Sequence, residues 1–180
     1  VNLGTGTGNA LFGEGAGADL TTGEHNTAIG YRAIYQGTTE TDDNVAIGYN
    51  AMSGGWTTAA VNDCVVIGSG AGAGALVAGA SGSTVVGTAA GAAMTSAERS
   101  TAVGYKTLNI LTTGNDNTAI GYEALLGSGS PNDHYSNTAV GAYAGTALES
   151  GSSNTFIGMN SGKANTDGYF NTYIGRDAGL

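Results

Sequence analysis

The chain has 180 residues, 33 of them glycine and only one proline, with 14 acids against 5 bases and a net charge of −9. The glycine follows no three-residue period and 41% of the residues are apolar, which excludes collagen and a disordered tail. The acidic balance removes the electrostatic basis for binding nucleic acid or an anionic bilayer, no stretch of about 18 apolar residues can span a membrane, and one cysteine excludes an internal disulfide framework.

One phrase recurs ten times along the chain. In order it reads NALFG (Asn9 to Gly13), NTAIG (Asn26 to Gly30), NVAIG (Asn44 to Gly48), CVVIG (Cys64 to Gly68) and STVVG (Ser83 to Gly87). Then come STAVG (Ser100 to Gly104), NTAIG (Asn117 to Gly121), NTAVG (Asn137 to Gly141), NTFIG (Asn154 to Gly158) and NTYIG (Asn171 to Gly175). The anchors Gly13, Gly30, Gly48, Gly68, Gly87, Gly104, Gly121, Gly141, Gly158 and Gly175 are spaced by 17, 18, 20, 19, 17, 17, 20, 17 and 17 residues. Residues 1–180 therefore read as a single repeat domain. Several phrases run on into a second half, as in YRAI, YNAM, YKTL and YEAL after Gly30, Gly48, Gly104 and Gly121.

Each column of the repeat carries a physical requirement. The residue before the glycine is always Ile, Val or Phe, which predicts a buried strand position at Ile29, Ile47, Ile120 and Val140. Three residues after the glycine stands Ala in eight copies, implying close approach of another layer. Four before it, Asn holds seven of ten places, among them Asn26, Asn44, Asn117 and Asn137. Stacked amides there form a ladder or cap the turn into the strand. The invariant glycine suits a bend or a positive φ. A strand of about five residues, the glycine bend, a shorter second strand and a loop then make one coil. The predicted fold is all-β: a parallel β-solenoid or β-roll of about ten 17–20-residue coils.

Length variation is confined to the connectors, so that edge faces solvent. So thin a coil encloses little volume and leaves the columns of Tyr31, Tyr49, Tyr105 and Tyr122 and of Ala half exposed. Parallel chains packed side by side, three in number, remedy this. The alternative is a monomer whose core the tyrosines fill.

Groups suited to catalysis are few. His25 and His134 fall in predicted solvated loops, and no G-x-S-x-G elbow accompanies them. Cys64 reads as a small buried substitute in the Asn column. The run Gly68 to Gly74 resembles a phosphate loop but lacks the helix that must follow. No cofactor is expected. Glu40, Asp42, Asp43 and Asn44, and Asn132 with Asp133, read as solvated turns, with a structural calcium ion as the alternative. Large aromatics on the connectors (Trp56, Tyr35, Tyr135, Tyr169 and Phe170) are candidates for stacking on sugar rings.

The phrases NTAIGYRAI, NVAIGYNAM, NTAIGYEALL and NTAVGAYAG resemble repeats of bacteriophage tail-fibre and virion adhesin proteins. They are also similar to the coils in the heads of trimeric autotransporter adhesins, although coils of 17 to 20 residues are longer than the adhesin-head repeat. The resemblance implies a homotrimeric, left-handed β-roll on a virion surface or outside the cell, displaying a loop edge to a host glycan or protein receptor. Two other functions stand beside this non-enzymatic one. Thr three places before seven of the glycines suggests an ice-binding face, and the loop acids suggest a fibre-borne glycan-active enzyme needing paired carboxylates.

Overall fold

The computed structural model describes residues 5–36, 40–55, 60–74, 80–129 and 133–180. Among these residues there is no helix, and every copy of the phrase forms one short strand. The strands are β1 (Ala10–Phe12), β2 (Thr27–Ile29), β3 (Val45–Ile47), β4 (Val65–Ile67), β5 (Thr84–Val86), β6 (Thr101–Val103), β7 (Thr118–Ile120), β8 (Thr138–Val140), β9 (Thr155–Ile157) and β10 (Thr172–Ile174). They lie side by side in chain order as one parallel sheet, like position on like: Ile29 pairs with Ile47 and Val103 with Ile120. The chain is a β-solenoid.

The strands are shorter than the sequence suggests, and no second strand follows them among the described residues. The backbone shows why. The second and fourth residues after the anchor glycine take left-handed conformations, as at Arg32 (φ 53°) and Ile34 (φ 48°), or Lys106 (φ 52°) and Leu108 (φ 47°). Such residues curl the chain away from a strand. The anchor glycine is needed twice over. At Gly121 φ is 137°, and an added Cβ would stand 2.6 Å from the carbonyl oxygen of Gly141 in the next coil.

The asparagine column is both a ladder and a cap. The backbone N–H and Nδ2 of Asn154 donate to Oδ1 of Asn137 at 2.9 and 3.0 Å, while Nδ2 of Asn137 donates to the Gly151 carbonyl at 3.0 Å. Asn26, Asn44 and Asn117 repeat the pattern. Cys64 fits as a small buried substitute: its N–H donates to Asn44 Oδ1 (3.0 Å) and its thiol points to the Ala80 carbonyl (3.3 Å). Burial pushes the Cys64 thiol up from its ordinary pKa.

The buried amides decide which face of each strand is inside. Side chains alternate along a strand, so if position −4 from the glycine points inward, position −2 does too and −3 and −1 point out. Ala28, Ala46, Ala102, Ala119, Ala139 and Phe156 are accordingly buried. The Ile/Val column at −1, expected inside, instead faces outward: Ile29 is 40% and Ile120 39% exposed, with Ile47 and Val140 partly so. The Ala column at +3 is fully buried from Ala16 to Ala144, against the expectation that it would be half exposed, and partly buried at Ala178 in the last coil. Nor do tyrosines fill the core, since Tyr49, Tyr105 and Tyr122 are exposed.

The core is filled from the fourth residue after the glycine, in inverse proportion to position −2. Ala28, Ala46, Ala102 and Ala119 share their coils with buried Ile34, Met52, Leu108 and Leu125. Where −2 is large, +4 is glycine: Leu11 with Gly17, Val66 with Gly72, Val85 with Gly91, Phe156 with Gly162. A Cβ at Gly17 would lie 2.8 Å from Leu11 Cδ1. The Ala139–Gly145 coil breaks the rule because Phe156 reaches over from the next coil, 2.7 Å from where a Gly145 Cβ would stand. A left-handed non-glycine residue costs about 1–2 kcal/mol. Burying a large aliphatic side chain contributes about 1.5–3 kcal/mol, so a large residue is retained at +4 only where it fills space.

Two outcomes follow for urea unfolding. Ala28→Leu alone overpacks the coil and destabilises by about 1–3 kcal/mol. Combined with Ile34→Gly it recovers at least about 1 kcal/mol of the summed single losses, and strict additivity would refute the shared volume. Asn137→Ala orphans two donors on Asn154 and the Gly151 carbonyl, so it costs about 2–4 kcal/mol, clearly more than Asn9→Ala in the first coil.

Candidate interaction surfaces

Parity creates the largest uniform surface. The outward positions −3 and −1 of the ten strands comprise seven Thr, Ala10, Val45 and Val65 in one rank and Ile, Val or Phe12 throughout the other. None of these twenty positions carries a charge. At the two ends of the second rank, Phe12 and Ile174 are 77% and 66% exposed. Beside it, one residue past the glycine, the tyrosines stack coil on coil. Tyr31 and Tyr49 lie 5.3 Å apart at 10° and Tyr105 and Tyr122 5.2 Å apart at 22°, while Tyr143, two residues past Gly141, meets Tyr122 edge-on. Arg32 and Lys106 cover Tyr31 and Tyr105 with cations 5.0 and 5.3 Å from the ring centres.

The connector aromatics are not gathered into one patch. Tyr35 opens its connector, half-buried, with the Arg32 guanidinium 4.7 Å over its ring. Tyr135, Tyr169 and Phe170 close theirs and are exposed. Ser152 stands between them: its hydroxyl accepts from the Tyr135 N–H (3.2 Å) and its carbonyl from the Phe170 N–H (3.1 Å). Trp56 lies outside the described residues, as does Asn132.

The two histidines differ. His25 is exposed beside Asp43, with Nδ1 to Oδ1 at 3.6 Å. His134, expected in a solvated loop, is fully buried. Its carbonyl accepts from Asn117 Nδ2 (2.8 Å), its Nδ1 lies 3.4 Å from Asn117 Oδ1, and its Nε2 has no hydrogen-bond partner. Burial pulls its pKa down to about 4. The position is the seventh before the glycine, an interior column that also holds Val61, Ala80 and Ala97.

The acids of the connectors bind neighbouring coils. Six places before the glycine, Glu24 N–H donates to Asp42 Oδ1 (2.8 Å), Asp42 N–H to Asn62 Oδ1 (2.9 Å), Asn62 N–H to Ser81 Oγ (3.0 Å) and Glu98 N–H to Asn115 Oδ1 (2.9 Å). This second ladder was missed by the sequence reading, although an acceptor-bearing side chain at −6 in each of these coils was visible in the alignment. Five before the glycine, Arg99 grips Asp116 of the next coil at 2.7 and 3.0 Å and holds its carboxyl below the ordinary range. Asp133 accepts from Thr112 and Thr113. Among the described residues no three His, Cys, Asp or Glu side chains are gathered as metal ligands would be.

Because the folded chain holds His134 near pKa 4 and the unfolded chain near 6.5, the unfolded state binds more protons between those values. Stability is therefore full above about pH 6.5 and falls by as much as about 3 kcal/mol as the pH drops to 4. His134→Leu removes that share, so its Tm should fall less than that of the wild type between pH 7 and pH 4; equal falls would show that His134 is not the group responsible.

Compared with protein-family models, with curated proteins and with solved structures, the chain matches none.

Proposed function

We propose that the chain is a non-catalytic segment of a homotrimeric fibre, on a virion surface or outside the cell, whose connectors face a host glycan or protein receptor. One observation carries this reading: the outer sheet face offers twenty uncharged positions in register, with an apolar rank running the length of the solenoid. An isolated sheet face in water ordinarily carries charge, and a long apolar stripe marks an interaction surface. Its occupant must present an equally long, equally periodic face, which another copy of the same chain does. Ten strands of three residues, about 4.8 Å apart, give roughly 480 Å² per copy. Two such faces together bury about 960 Å², close to the roughly 1,000 Å² that a specific interface needs. The left-handed roll rests on the resemblance of the NTAIG phrases alone. The candidate receptor contacts remain Trp56, Tyr35, Tyr135, Tyr169 and Phe170, of which Tyr135, Tyr169 and Phe170 are exposed, the first lying two coils away from the other two.

Ice binding is the second reading, because the Thr rank and the Ile/Val rank both face outward, as a two-rank array requires. Ala10, Val45 and Val65 interrupt the first rank. Lateral packing and ice binding compete for this one face, so they are separable.

Light scattering is expected to give three times the mass of one chain. Ile29→Glu with Ile120→Glu, both on the outward rank, should give single chains with an unchanged circular dichroism spectrum. A single-chain wild type that depresses the freezing point would replace the fibre reading with the ice-binding one. On a glycan array, Trp56→Ala and Tyr135→Ala should each reduce binding at least about tenfold if the connectors hold the receptor.

A further inference from the structure

The tyrosine column is broken in the middle of the solenoid. Tyr31 stacks on Tyr49, and Tyr105 on Tyr122, but the two coils between these pairs carry Ser69 and Thr88 at the same place. Rings stacked at about one layer spacing turn their faces along the solenoid, so the free face of Tyr49 looks across the break towards Tyr105. Three layers separate the two rings, about 14 Å at about 4.8 Å per layer, which leaves roughly 11 Å clear between their faces. Tyr49 is accordingly 57% exposed, whereas Tyr31 is half-buried. The floor of the break is open. A Cβ placed on Gly70 would meet nothing within 4 Å, and the hydroxyls of Ser69 and Thr88 have no partner among the described residues. Asn50, which precedes Gly70 in its column, keeps a buried Oδ1 with no hydrogen-bond partner, so the break also borders an unmet acceptor. At the Tyr105 wall stands Lys106, its Nζ 5.3 Å from the ring centre, and among the described residues no acid pairs with it.

Charge sets this edge apart from the connectors. Four of the five bases (Arg32, Lys106, Lys163 and Arg176) stand one to five residues past their glycines, with only three of the 14 acids. The remaining acids share the connectors with Arg99 alone. We infer that the break in the tyrosine column is a binding site for an acidic sugar, a pyranose that bears a carboxylate. A tyrosine face is apolar and complements the C–H face of a sugar ring, and the gap admits such a ring against either wall. Lys106 offers the carboxylate an unpaired ammonium, and bonds of that charge-assisted kind are the stronger ones. Ser69 and Thr88 offer hydroxyls that both donate and accept. The connector acids repel an anionic ligand, so the tyrosine edge is the one that accepts it. This site is separate from the connector aromatics, and it rests on the glycan reading proposed above only for the class of ligand.

Titration calorimetry of the full chain with tetragalacturonate and with sialyllactose tests the inference, with the methyl ester of the first and lactose as their neutral counterparts. At least one acidic sugar should bind, and its neutral counterpart at least about tenfold more weakly. Lys106→Met should bind the acidic sugar no better than the neutral one. Ser69→Tyr with Thr88→Tyr continues the tyrosine stack through the break and should abolish binding with an unchanged circular dichroism spectrum. Trp56→Ala and Tyr135→Ala should bind these sugars as the wild type does. A wild type that binds neither acidic sugar overturns the inference, as does binding that survives the double tyrosine variant or is unchanged by Lys106→Met. Binding lost on Trp56→Ala or Tyr135→Ala but kept by the variants of the break also overturns it, while leaving the connectors as the receptor surface. Failure of the fibre reading would look different, since it is read from the mass in light scattering and not from these titrations.

Discussion

A buried amide column governs this fold. Placing Asn inside a coil this narrow is favourable only if both ends of the amide are bonded, and here each Oδ1 takes up to two donors from the next coil while each Nδ2 holds a loop carbonyl. An unmet group at that depth costs about 1–3 kcal/mol, so coils cannot shift relative to one another by a residue. The ladder thereby fixes the register, and through strand alternation it fixes which side chains are interior. The outward Ile and Thr ranks are a consequence of the Asn column, not an independent choice.

The rest of the interior adapts to that constraint coil by coil. The sum of positions −2 and +4 is held roughly constant, with Ala28 and Ile34 exchanged for Val85 and Gly91 or Phe156 and Gly162. Interiors packed at crystal density tolerate neither voids nor surplus methylenes. Large residues such as Ile34 and Leu125 therefore accept a left-handed backbone, since the volume they fill outweighs the strain. His134 belongs to the same interior. Neutral at ordinary pH, it makes one coil sensitive to acid without creating a reactive site.

The functional reading rests on what the interior leaves outside. A strand face without charge, set against acids that lie in the connectors and in the turns after the glycines, is what leads us to propose one side for contact with like chains and another for solvent or receptor. The second ladder, from Glu24 through Asp42 and Asn62 to Ser81, shows the Asp42 carboxylate serving coil-to-coil bonding.

The sequence by itself determined the repeat, its ten anchors, the parallel stacking and the need for glycine at each anchor, because those follow from period and from the steric uniqueness of one residue. It did not determine which face of the strand is inside. Ala28 and Ile29 are both apolar, and burial preference favoured the wrong one; only the parity set by the buried Asn26 separates them. Nor could it locate His134, which takes a place in the interior column at the seventh position before the glycine with Val61, Ala80 and Ala97. Side-chain chemistry is local and was legible, whereas orientation is settled by the stacked coils acting together, when bonded amides and filled volume must be satisfied at once.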